Sequence, residues 1–257
     1  MGQPPAPDYP QMAAARGRVE PAPRRVRGFL GHELVFDTTS ARYVWEVPYY
    51  PQYYIPLADV RAGFLRDEGH PKRVQFGPSR MFTLTGQAQT RHSAARVFDD
   101  GDGAVAGLVR FEWGSLRWFE EDEPIYGHPR NPYARVDALR SHRHVRIALD
   151  EVTLADTTCP VLLFETGLPT RYYIDQSDVA FEQLESSDTQ TLCPYKGVTS
   201  GYWSACAGTT VHADIAWTYH SPLPAVAAIA GLVAFYNERL DITVDGVQLP
   251  RPETHFS

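Results

Sequence analysis

Residues 192–197 read LCPYKG, placing a thiol, a proline, a phenol, an amine and a glycine in one short stretch. A lysine after Pro194, flanked by Tyr195 and Gly197, sits on a turn. From there its ammonium can hold a carboxylate or phosphate, or give up its proton if desolvated. The same placement suits a surface lysine whose stem lies over Tyr195, and both readings stand. Cys193 is a candidate nucleophile where a positive group and a base attend it, and Lys196 is the cation close in sequence. A packed thiol is the alternative. Glu165 closes the apolar run Leu162-Leu163-Phe164. A buried carboxylate is costly unless paired, so Glu165 is either a general base, a partner for Lys196, or half of an ion pair with an arginine such as Arg171.

The catalytic candidates are therefore Lys196, Glu165 and Cys193. Tyr173, Tyr195, Tyr202, Trp203 and Arg171 are the ligand-contact candidates, since aromatics with polar tips bury area and orient a ligand. Cys159 and Cys206 have no comparable surroundings and are expected in the core. His142 and His144 lie two apart with His128 upstream, but a metal site needs a third ligand placed by the fold, so no metal and no cofactor is assigned. Asp59 and Asp178 read as turn or cap residues, and the acidic run from Glu120 to Glu123 reads as a solvated face.

These residues must be held by a chain written twice. Residues 26–60 lie on residues 145–179 at a constant offset of 119 without a gap. Asp37 and Thr38 match Asp156 and Thr157, Glu46 matches Glu165, Tyr53-Tyr54-Ile55 matches Tyr172-Tyr173-Ile174, and Asp59-Val60 matches Asp178-Val179. So long a period implies two domains, each with its own core, rather than a solenoid. The organisation expected is a Pro-rich leader over 1–24, a first repeat over 25–142 and a second over 143–257. Where the second has Cys193 to Gly197, the first has roughly Val74, Gln75, Phe76, Gly77 and Pro78, with neither thiol nor amine. A complete site would then belong to the second repeat.

The pattern predicts a mainly β fold, two small twisted antiparallel domains each with one covering helix. Val211, Ala213, Ile215, Trp217 and Tyr219 alternate with polar neighbours at the period of a half-buried strand, and Val105 to Trp113 do the same. Asp245-Gly246 and Asp150-Glu151 are placed to form tight hairpin turns. The run PLPAVAAIAGLVAFY, with Ser221 as cap and Pro222 at its start, predicts the helix of the second repeat. NPYARVDAL (131–139) predicts its shorter counterpart.

The formal charge of -7 and pI near 5.7 argue against a nucleic-acid partner. Three cysteines without a C-x-x-C pair support neither a disulfide framework nor a zinc knuckle. No apolar run reaches the roughly 18 residues of a membrane span, and the N-terminus lacks an export pattern. A soluble cytoplasmic protein is expected. Its partner would be a small-molecule ligand, with neither nucleic acid nor membrane, and a homo-oligomer stays open.

The stretches YYIDQSDV, TLCPYKGVTSGYWS, AWTYHSPLPAVAAIAGLVAFYNERLDITVDG, WEVPYYPQYYIPLADVR and WFEEDEPIYGHPRNPYARVDALRSHRHVRI resemble the bacterial family termed domain of unknown function 427, in two tandem copies. The resemblance covers nearly everything after residue 24. It implies a small tent-like β fold and carries the label nucleotidyltransferase. That chemistry usually uses paired carboxylates for Mg²⁺ and a glycine-rich phosphate turn. The nearest candidate, Asp99 to Gly103, reads as a hairpin loop and has no counterpart in the second copy.

Overall fold

The computed structural model describes residues 16–98, 103–207 and 210–254. Residues 1–15 of the expected leader, and Asp99, Asp100 and Asp102 of the acidic loop, lie outside the described residues. Contacts divide the chain into a first unit ending at Pro132 and a second beginning at Tyr133.

Both units are antiparallel and β-rich, and they repeat one topology. In the first, a seven-stranded sheet runs in the order Val19–Pro21, Arg42–Val44, Gln52–Pro56, Leu108–Phe111, Thr90–Phe98, Gly77–Thr85, Leu65–Val74. Beside it lies a four-stranded sheet of Glu123–Ile125, Arg117–Glu120, Val26–Leu30 and Glu33–Thr38. In the second unit the long sheet is Val136–Arg140, Val161–Glu165, Arg171–Ile174, Val233–Phe235, Thr210–Thr218, Gly201–Ala207, Leu184–Ser187. Its short sheet is Val152–Thr157, Val145–Leu149, Asp241–Val244 and Val247–Gln248.

Strand alternation gives each long sheet two faces, and in the second unit both are apolar. In the second unit the inner face packs Leu162, Tyr172, Ile174, Val233 and Phe235 against Val145, Ile147, Leu154 and Ile242 of the short sheet. The outer face carries Val161, Leu163, Tyr173, Tyr202, Trp217, Tyr219 and Ala234 beneath Val226 and Ile229. Burying each large apolar side chain stabilises the unit by about 1.5–3 kcal/mol.

The shared letters have physical counterparts. Thr38 donates its hydroxyl to Asp59 at 2.5 Å, and Thr157 does the same to Asp178 at 2.6 Å. Each clasp ties a short 3-10 turn to the short sheet, next to the bridges Phe36 to Val60 and Ala155 to Val179. Asp150-Glu151 and Asp245-Gly246 form the expected tight turns, all four with positive φ. Even the bulges recur, after Gly28 in one copy and after Ile147 in the other. At that place the cross-strand pair is Gly28 with Phe36 in the first unit and Ile147 with Ala155 in the second, so small and large change strands.

Some expectations change. Val19–Pro21 lies in the proposed leader but pairs with Arg42–Val44. The covering helix of the second unit is the 3-10 segment Pro224–Ile229, interrupted at Val226. Gly231, with φ +73, turns the chain so that Val233–Phe235 can pair on both sides, which leaves no room for the longer helix. The counterpart expected over 131–139 is instead the strand Val136–Arg140, which pairs with Val161–Glu165 of the second unit. Pairing and one-sided burial outweigh its weak local preference, and the division of the chain falls ahead of residue 143. The alternation of 211–219 is broken at Asp214, where φ is +52. Ile215 and Ala216 therefore both reach the inner core.

Candidate functional site

The turn at 193–197 is held from both sides. Leu192–Cys193 pairs with Gly197–Val198 as a two-stranded ladder, leaving Pro194, Tyr195 and Lys196 as its tip. Gly197 has φ +102, a backbone that favours glycine. Beyond the ladder, Thr191 N–H donates to the Thr199 hydroxyl at 2.7 Å and Thr199 N–H to the Thr191 carbonyl at 3.1 Å. The hydroxyls of Thr191 and Tyr202 lie 2.9 Å apart. Leu223 N–H donates to the Lys196 carbonyl at 3.0 Å, tying the tip to the covering segment.

This anchoring lays Lys196 over the outer sheet face. Its Nζ donates to Glu165 Oε2 at 2.5 Å, and each side chain is only 11% exposed. Glu165 faces outward because it follows Val161 and Leu163 at strand spacing. Burial, the largest single influence, pushes the Lys196 ammonium down. Charge at Cys193 and Glu165, then at Tyr173 and Tyr219, outweighs it and holds Lys196 well above the ordinary lysine range. Burial pushes the Tyr173 phenol up to about 12 and also raises Tyr219. At neutral pH Lys196 is thus an ammonium and Tyr173 and Tyr219 are neutral phenols, beside Glu165 and the half-buried Cys193. Such a set can bind an anion and donate a proton, and the glutamate can accept one if released from the lysine.

Of the residues singled out in the sequence, Lys196, Glu165, Cys193 and Tyr173 come together. Tyr202 lies on the same face in the outer cluster, and Tyr195 is half-buried on the turn. Trp203 does not join them. It packs on the inner side against Phe181, with ring centroids 5.3 Å apart, because neighbouring strand residues face opposite ways. Arg171 is on the site's face but serves another partner. It grips Glu238 at 2.6 and 2.7 Å and Asn237 at 3.0 Å, between the rings of Trp217 and Tyr236. Cys159 and Cys206 are exposed rather than in the core: Cys159 lies past the end of Val152–Thr157, and Cys206 sits opposite the exposed Val211. Glu120 is buried rather than solvated, accepting from the Tyr53 hydroxyl at 2.9 Å and paired with Arg24. Thr191 and Thr199 were not singled out as site residues. The two threonines flank the turn almost symmetrically, a signal visible in TLCPYKGVT.

The first unit shows the same glutamate without the lysine. Glu46 accepts from the Tyr54 hydroxyl at 2.9 Å and from Arg110 Nε at 3.2 Å. Its turn joins Val74 to Gly77 through two residues, Gln75 and Phe76, where the second unit has three. Phe76 covers Tyr54 at a ring distance of 6.1 Å.

A family model described as a domain of unknown function (DUF427) matches residues 18–114 and again 137–246. The chain belongs to this family. The two DUF427 matches fall one in each unit, and the second contains the whole Lys196 and Glu165 face. No curated protein matches the chain. Among the described residues no three His, Cys, Asp or Glu side chains converge as metal ligands. No described helix is long and apolar enough to cross a membrane.

Proposed function

We propose that the second unit binds a small anionic metabolite on its outer face and processes it there. The observation that carries this is the Lys196 and Glu165 pair, shielded from solvent at the tip of an anchored turn with Cys193, Tyr173 and Tyr219 around it. Lys196 serves as a charge clamp and proton donor, since its environment favours the ammonium over the free amine a nucleophile would need. An anion that engages Lys196 takes over the role of Glu165, which becomes the base. Cys193 stands beside the same ammonium as a secondary nucleophile. Exposed, unpaired Cys159 and Cys206 fit a reducing, cytoplasmic setting.

The test is a melting-temperature screen of the full chain against small carboxylates and phosphates, followed by turnover assays on any compound that stabilises it. A ligand of this face raises the parent's melting temperature by mass action and leaves Lys196→Met unmoved. Equal responses in parent and Lys196→Met remove the proposal.

A second reading, a binding or assembly module without turnover, is favoured by Glu46. A glutamate at the same strand end is neutralised in the first unit too, by a different cation, which is what a purely architectural charge would require. Under that reading Lys196→Met/Glu165→Leu keeps full ligand response. The nucleotidyltransferase label is third, and stabilisation by ATP or GTP with Mg²⁺ would support it.

A further inference from the structure

On the outer face of the first unit, strand register sets five residues in one row. Met81 is opposite Arg96, Arg96 opposite Arg110, Arg110 opposite Tyr54, and Tyr54 opposite Arg42. Residues directly opposite on antiparallel strands share a face, and like charges so placed repel. The matching row of the second unit, Tyr202, Trp217, Ala234, Tyr173 and Val161, carries no charge. The first unit has therefore put guanidinium groups where the second has aromatic and aliphatic side chains.

Arg110 is answered by Glu46 at 3.2 Å and by an ion pair with Glu112. Arg96 is not. No described residue forms a hydrogen bond or ion pair with its guanidinium, and its Nε is buried with no acceptor. A buried donor left unmade destabilises a fold. Arg96 lies on a central strand, Thr90–Phe98, whose neighbours on both sides fix its position, so the gap is built into the sheet. A fixed planar donor fork with a second guanidinium beside it is suited to a carboxylate or phosphate.

We infer that this face is a binding site for the oxyanion, carboxylate or phosphate, of a small ligand, held by Arg96 with Arg110 beside it. The site is independent of Lys196 and belongs to the copy that lacks the CPYKG turn. Tyr54, whose hydroxyl donates to Glu46, lies between Arg110 and the exposed Arg42 in the row.

The experiment is a titration of the nitrogen-labelled full chain, following the Arg96 Nε–H resonance, assigned by its loss in Arg96→Gln. One arm uses inorganic phosphate, a second acetate, and a third sodium chloride at matched ionic strength. The expected result is a saturating displacement with phosphate or acetate and none with chloride, the two arms telling which oxyanion is preferred. The parent's melting temperature rises by about 3 °C at saturation, and Arg96→Gln shows no rise beyond chloride. A resonance unmoved by both anions overturns the inference, and so does a linear response equal in all three arms. If Arg96→Gln fails to fold, Arg96→Lys supplies the assignment and the parent titration decides.

Discussion

The Lys196 and Glu165 pair is an ion pair whose two halves were taken out of water together. Removing one half strands the other, and such losses cost about 3 kcal/mol or more. Lys196→Met and Glu165→Leu should each lower the midpoint of urea unfolding, while the double variant recovers much of the loss because two apolar groups can share the space. Equal and additive losses would mean that the two side chains do not rely on each other. Glu238 gives the pH dependence. Burial acts first to raise its carboxyl, but the hydrogen bonds and charge of Arg171, with a hydrogen bond from Thr254, prevail and hold it below the usual carboxylate range. A depressed carboxyl stabilises the fold above its unfolded value, about 4.3, and that contribution is lost as pH falls through the folded value. Acid unfolding of the second unit should therefore steepen below about pH 4. Glu238→Gln should flatten that limb and lower stability at neutral pH. At this scale the sequence offered Glu165 as one possible partner for Lys196, and the two side chains do meet. It could not assign Arg171 to Glu238, because the two are 67 residues apart and meet only through sheet register.

At the scale of elements, the turn is positioned by its flanks. Thr199→Val removes the hydroxyl that receives Thr191 N–H and so loosens one flank of the turn. Hydrogen exchange at 192–198 should quicken severalfold while the long sheet stays protected. Unchanged exchange would show that Leu223 alone holds the tip. The Gly28 and Phe36 pair offers a different check. A Cβ on Gly28 would stand 2.3 Å from the Phe36 ring, which is fully buried and stacked on Phe111 and so cannot yield. Gly28→Ile should cost about 2–3 kcal/mol or more by overpacking, and Phe36→Ala in the same chain should restore much of it, since that restores the pair seen at Ile147 and Ala155. The Asp-Gly turn was readable directly, and strand alternation in part, since 211–219 breaks at Asp214 and only Leu108–Phe111 of 105–113 is strand. The helix over 222–236 was not, because apolar spacing alone does not reveal that Val233–Phe235 is needed as a central strand. Two bulges, at positive-φ Ser93 and Asp214, also left no mark in the letter pattern.

For the whole molecule, the offset of 119 was enough to announce a duplicated antiparallel fold. The place of the join was hidden, since Val136–Arg140 repeats no letters of its counterpart Val19–Pro21 yet fills the same edge. A fragment beginning at Tyr133 should therefore melt cooperatively and higher than one beginning at Arg143, which lacks that strand. Identical melting of the two would assign the edge no part in stability. The exchange of size between Gly28 with Phe36 and Ile147 with Ala155 reaches beyond local fit. Tandem copies emerging from one ribosome risk crossing over, each borrowing a segment from its sibling. A crossed assembly would set isoleucine against phenylalanine in one half, too bulky to close, and glycine against alanine in the other, leaving a void. The two halves can thus tell self from sibling while the chain is still being made.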